Sequence, residues 1–108
     1  MKAAGLCVLL GLVLAASLLA QEPDHDPGKA TFDKWCTPCH GSGPGKPGTM
    51  VLAQRYGTSR PALLEERTDL TSEYLTTFVR NGIGVMPQFR KTEITDAELA
   101  QMIDYLLR

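Results

Sequence analysis

Apolar and polar residues follow two different rhythms along this chain. From Ala3 to Ala20, "AAGLCVLLGLVLAASLLA" carries no charge, and Lys2 precedes it. A basic start, a short apolar run and a small-residue end form the pattern of an export signal over residues 1–20, with cleavage expected near Ala20. The competing reading is a membrane anchor, since the run approaches the roughly 20 residues that a bilayer requires. "QEPDHDPG", Gln21 to Gly28, is polar and proline-bearing, so residues 21–27 read as a mobile leader. His25 stands there between Asp24 and Asp26 and reads as a solvated linker histidine.

Beyond the leader the rhythm is helical. A first helix is expected from about Gly28 or Lys29, through Phe32 and into Cys36, with Phe32 and Cys36 four apart on one face. "GSGPGKPGT", Gly41 to Thr49, holds four glycines and two prolines, which predicts an irregular loop. "MVLAQRY", Met50 to Tyr56, predicts a short helix stopped by Gly57, and "PALLEE" a second one with Pro61 in its first turn. Thr71 can cap a helix from about Ser72 to Arg80, where Tyr74, Leu75, Phe78 and Val79 recur at helical spacing and Gly82 suits the exit. "GIGVMPQF", Gly82 to Phe89, is again a loop. Thr95 and Glu98 then form a T-x-x-E capping box that opens a last helix, with Leu99, Met102, Ile103 and Leu106 as its buried stripe. No alternation is long enough for a strand. The pattern predicts an all-α domain over 28–108, with three main helices and one or two short ones.

Removing residues 1–20 leaves 88, enough for one small domain, with 10 basic and 12 acidic side chains and a net charge of −2. That balance excludes a nucleic-acid footprint, which needs a clearly basic domain. A domain this small commonly depends on a metal, a disulfide or a cofactor for robustness. Cys7 leaves with the signal, so Cys36 and Cys39 are the remaining thiols.

These two thiols sit in "WCTPCHG", Trp35 to Gly41. C-x-x-C followed at once by histidine is the pattern of covalent c-type haem attachment. Cys36 and Cys39 would bind two vinyl groups on one edge of the porphyrin, and His40 would supply an imidazole to the iron. A zinc site lacks ligands, because no second C-x-x-C exists and His25 is the other histidine. A thioredoxin-like dithiol expects a strand before the cysteines and a helix after them; here a helix precedes and a glycine-rich loop follows. A sixth iron ligand is available from Met50, Met86 or Met102. Met102 belongs to the apolar stripe of the last helix. Met50 lies ten residues beyond His40. Met86, in a loop followed by Pro87, is the preferred ligand, and methionine raises the potential relative to a second histidine.

On these residues the chain resembles class I monohaem cytochromes c of the small bacterial type. "GKATFDKWCTPCHG" resembles the opening helix of that family, "NGIGVMPQF" its methionine loop, and "ITDAELAQMIDYL" its closing helix. The resemblance implies one covalent haem c per chain, with Gly28 and Phe32 packed on Met102 and Tyr105. It also implies a proline carbonyl accepting from the ligating histidine; Pro44 and Pro47 both qualify, with Pro47 preferred. Arg55 reads either as a partner for a haem propionate or as an ordinary exposed arginine. "RTDLTSEYLTTFVRNGIGVMPQFRKTEITDAEL" further resembles cytochrome subunits of flavoprotein hydroxylases acting on p-cresol-like phenols.

Both axial positions being filled, the expected chemistry is one-electron transfer rather than substrate turnover. Phe32, Leu52, Phe78, Val79, Ile83 and Phe89 are the expected pocket lining. Arg80, Arg90 and Lys91 read either as a basic docking rim or, more plainly, as a solvated helix end and loop. The expected role is a periplasmic electron carrier without a membrane span after cleavage. Its donor would be a dehydrogenase, with a flavoprotein as one candidate, and its acceptor an oxidase or another cytochrome. The alternatives are a cytochrome subunit held tightly on such a flavoprotein, and a haem-based sensor in which Met86 dissociates.

Overall fold

The computed structural model describes residues 25–108; residues 1–20, expected to be an export signal, and most of the expected leader lie outside the described residues. Helix α1 runs Pro27–Trp35, one residue earlier than the spacing predicts. The reason is local: the Asp26 carboxylate accepts from the N–H groups of Gly28 (2.9 Å) and Lys29 (3.1 Å), and Pro27 presets the first helical φ. Asp26 also pairs with Arg108, which ties the start of the domain to its last residue. Helix α1 ends at Cys36 (φ −106°, ψ −41°), and one further turn, α2, covers Thr37–His40.

Helix α3 spans Pro47–Tyr56 and corrects the expected start at Met50. Pro47, Gly48 and Thr49, read as loop, form its first turn. A proline costs nothing there, because the first N–H groups of a helix have no internal partner. "PALLEE" is a second correction: it yields only a 3₁₀ turn, Leu64–Glu66, with no side-chain cap. Its backbone bonds, Glu66 N–H to Leu63 O and Arg67 N–H to Leu64 O, are both 3.2 Å, at the long end of the usual range.

The two later helices follow the sequence closely. Helix α4 is Ser72–Asn81, capped by the Thr71 hydroxyl accepting from Tyr74 N–H at 3.1 Å and closed by Gly82 at φ 66°. Helix α5 is Asp96–Leu106, with both arms of the capping box made: Glu98 N–H to Thr95 Oγ1 (3.2 Å) and Thr95 N–H to Glu98 Oε2 (2.8 Å). Among the described residues no strand forms, and the domain is all-α.

Helix α1 lies directly on α5. A Cβ on Gly28 would overlap the Gln101 carbonyl oxygen and fall 2.9 Å from Tyr105 Cβ, so the glycine is what allows the two backbones to meet. Phe32 is fully buried beside it, its ring 5.8 Å from that of Tyr105. The core continues through Ile94, Met102 and Leu106, and α4 joins it through Leu75 and Val79. The predicted stripe of α5 is buried throughout; on α4 the face narrows to Leu75 and Val79, with Phe78 half-buried and Tyr74 exposed.

Candidate haem site

The fold brings the C-x-x-C-H segment onto the flank of this core. Cys36 occupies the joint between α1 and α2, half-buried, with its Sγ 3.5 Å from the Met102 sulfur. Cys39 is exposed one turn on, and both thiols are free. Burial, with the neighbouring Cys39 adding to it, pushes the Cys36 thiol up to about 12. A disulfide-exchange cysteine needs the opposite shift, because the thiolate is the nucleophile. Cys36 is therefore poorly suited to be the attacking thiol of a dithiol pair. Among the described residues no three histidine, cysteine or acidic side chains converge as a metal site.

His40 ends α2. Its Nδ1 is buried and has no hydrogen-bond partner, and burial pushes its pKa below the ordinary histidine value. Burial thus favours the neutral ring, the state in which imidazole can donate a lone pair to a metal. Helix α3 closes over it. A Cβ on Gly48 would stand 2.7 Å from His40 Cε1 and 2.9 Å from both Nδ1 and the Cys39 carbonyl oxygen. Thr49 Oγ1 donates to Gly41 O at 2.9 Å and pins the start of α3 to the turn after His40. The expected bond from His40 to the Pro47 carbonyl is not made. Pro47 is exposed at the first position of α3, and Gly48 is the residue packed on the ring. Arg55 is exposed further along the same helix.

The three methionines have distinct settings. Met50 is 60% exposed on α3, and Met102 is 1% exposed in the core against Cys36. Met86 is half-buried against the core, in a turn closed by two backbone bonds with Ile83 (3.1 and 2.9 Å). Gly82 makes this turn possible: its φ is positive, and a Cβ would sit 2.9 Å from Gln88 N. Phe89 N–H returns to Val79 O at 2.8 Å, so the loop closes onto α4. The Phe89 ring packs edge-on to Trp35, the residue before Cys36, with centroids 5.9 Å apart. Sequence reasoning passed over Trp35; its contact partner is 54 positions away and no spacing announces it.

Of the expected lining, Phe32 and Val79 are buried, Leu52, Phe78 and Phe89 half-buried, and Ile83 is 55% exposed. Of the three cations expected near Met86, Arg90 and Lys91 are exposed and Arg80 is turned inward. Arg80 donates from Nη1 to Phe89 O (3.0 Å) and Ile94 O (2.8 Å), and from Nη2 to Asp96 (2.8 Å), with its side chain only 17% exposed. Lys91 shares Asp96 with Arg80 and Arg90 pairs with Glu93, so two acids offset part of the charge of the three cations. Arg67 was missed altogether. Its guanidinium is buried, doubly bonded to Asp69 (2.8 and 2.7 Å), and lies over the rings of Tyr56 and Tyr74.

Comparison with known proteins decides the class. The family model described as cytochrome C oxidase, cbb3-type, subunit III matches residues 23–106. The chain belongs to this family of cytochrome c-type domains. It is also 31% identical, over 106 residues, to the 4-cresol dehydrogenase [hydroxylating] cytochrome c subunit of Pseudomonas putida. That alignment covers 98% of this chain and 80% of the Pseudomonas protein. No solved structure matches the chain. As a member of the cytochrome c-type family the chain implies a haem c, and the residues present fit one. Two free thiols, an imidazole with an orphaned buried nitrogen, and a glycine cradle against that ring are the donor set and the space it requires. No helix among the described residues is long and apolar enough to cross a membrane.

Proposed function

We propose that the protein is an exported, periplasmic one-electron carrier, holding one haem c covalently through Cys36 and Cys39, with His40 and Met86 as the axial residues. The observation that carries this reading is His40: a half-buried ring whose enclosed Nδ1 has no protein partner, next to a free thiol. A haem bound there supplies an iron centre that takes up and gives back one electron. The rest is the work of the chain. Turn α2 presents the two thiols and the imidazole in a fixed order, and Gly48 limits how the ring can tilt. Gly48 borders that ring on the α3 side, and Nδ1 is left without a protein acceptor. Val79, Phe89 and Leu52 would supply apolar cover to a bound haem, and Arg55 would offer a guanidinium to a propionate.

The donor we propose is a dehydrogenase carrying a flavin, and the acceptor an oxidase or another cytochrome. Similarity to the cytochrome subunit of 4-cresol dehydrogenase supports that donor class, and favours as second reading a subunit held on its dehydrogenase. The test is a pyridine haemochrome spectrum of protein recovered from the periplasm. The expected result is the spectrum of thioether-linked haem, stable to acidified-acetone extraction, with attachment reduced by Cys39→Ala. Haem that extracts freely, or none, would sink the proposal.

A further inference from the structure

The segment that carries Met86 is fastened at several points, and one side chain holds two stretches of it. Residues Gly82 to Phe89 leave α4 and return to it, with Phe89 N–H on Val79 O. Four residues after Arg90 the chain reaches Ile94, and Thr95 then opens α5. Arg80, in the last turn of α4, sits between these stretches. It reaches the Phe89 carbonyl on one side, the Ile94 carbonyl on another, and Asp96 in the first turn of α5. Both ends of the 89–94 connection are therefore tied to the helix from which the Met86 turn departs. The planar guanidinium suits this task, since its donors point in several fixed directions at once. A lysine offers one ammonium at the end of a flexible stem.

We propose that Arg80 is the positioning residue for Met86: its guanidinium fixes the backbone after the methionine so that the thioether is held toward the iron. This rests on the reading above that Met86 is the axial residue. Methionine has three rotatable side-chain bonds, so its sulfur is placed only if the backbone beneath it is placed. The turn itself supplies part of that, through Ile83 and Gly82. Three residues beyond Met86 nothing else on α4 except Val79 O is bonded to Phe89, and Arg80 secures the same residue through its carbonyl. Lys91 shares Asp96 with Arg80 at 2.8 Å, so Asp96 serves both cations and its removal loosens one of the three arms.

The test uses purified holoprotein and four substitutions: Arg80→Met, Arg80→Lys, Asp96→Asn and, as a control, Arg67→Lys. Arg67 is an ion-paired guanidinium elsewhere and more deeply buried than Arg80, so its loss reports general loosening. Two signals are read at neutral pH: the near-infrared sulfur–iron band of the oxidised protein, and the rate of carbon monoxide binding to the reduced protein. Arg80→Met should weaken the band and speed carbon monoxide binding at least tenfold, Arg80→Lys less, and Asp96→Asn least. Arg67→Lys should leave both signals within twofold of wild type even where its melting temperature falls. Retention of both signals within twofold in Arg80→Lys and Asp96→Asn would overturn the proposal, and so would an equal loss in Arg67→Lys. These two milder variants decide the matter if Arg80→Met does not accumulate. Met86→Ala is measured alongside: a band that survives there refutes the axial assignment itself, a failure distinct from that of the Arg80 proposal.

Discussion

Gly48→Ala adds a single methyl group and should be costly because of where that methyl points. Its carbon would lie 2.7 Å from His40 Cε1 and 2.9 Å from the Cys39 carbonyl oxygen. Carbon atoms pack at about 3.5–4.0 Å, so the first contact is short by about 1 Å. Neither neighbour gives way easily: the Cys39 carbonyl is helix backbone, and the imidazole is partly buried with its Nδ1 enclosed. The start of α3 must therefore back away, although Thr49 Oγ1 holds it to Gly41 O. Overpacking of this kind costs about 1–3 kcal/mol. Against it stands the better helix propensity of alanine, at most about 1 kcal/mol and less in a first turn. The net is about 1–2 kcal/mol of destabilisation, which lowers the melting temperature of a domain this size by roughly 5–15 °C. Thermal unfolding followed by circular dichroism measures it, and Gly48→Ser should cost at least as much. A melting temperature equal to or above wild type would refute the close packing of α3 on His40.

Two further predictions test other parts of the fold. Gly28→Ala drives a methyl into the Gln101 carbonyl, so α1 and α5 must part; we expect a loss of about 2 kcal/mol or more in chemical denaturation, with an unchanged or raised stability refuting the contact. Asp69 is held down to about 2, mainly by the hydrogen bond from the Arg67 side chain, against an ordinary value of 3.8. A carboxylate depressed on folding contributes stability that is complete above its unfolded value and is lost as pH falls toward the folded one. Stability should therefore drop between about pH 4 and pH 2, and Asp69→Asn should flatten that limb while lowering stability at pH 7; an identical limb in the variant would contradict the pairing.

What the sequence disclosed and what it concealed divide along the range of the interactions. Thr95 and Glu98 are three residues apart and cap each other, so their pattern is complete within one turn of chain. Thr71 with Gly82, and the stripe from Leu99 to Leu106, are likewise local or periodic. Pro47 was legible in principle, because proline favours the first helical position, but the surrounding glycines outweighed it in the reading. The 3₁₀ turn at Leu64–Glu66 failed for a different reason. Six residues without a capping side chain give too little bonding to fix a helix against solvent, whatever their individual propensities.

The arginines show the limit most clearly. In the sequence, Arg80, Arg90 and Lys91 form one cationic cluster near a methionine loop, and net charge is all that can be read from them. In the fold, Arg80 turns inward to carbonyls 9 and 14 residues further on. Arg67 likewise finds two tyrosines from either side of it in the chain, Tyr56 and Tyr74, and bonds both oxygens of Asp69. Guanidinium groups with this many partners are fixed by tertiary packing, which no period encodes. The residues that would bind the cofactor were visible because covalent chemistry demands a fixed spacing, C-x-x-C-H. Those that hold the binding residues in place were hidden because carbonyl acceptors carry no signature in sequence. The candidate site is thus written twice in this chain: once as a local motif, and once as long-range contacts, Gly48 on His40 and Phe89 on Trp35, that pack against that motif.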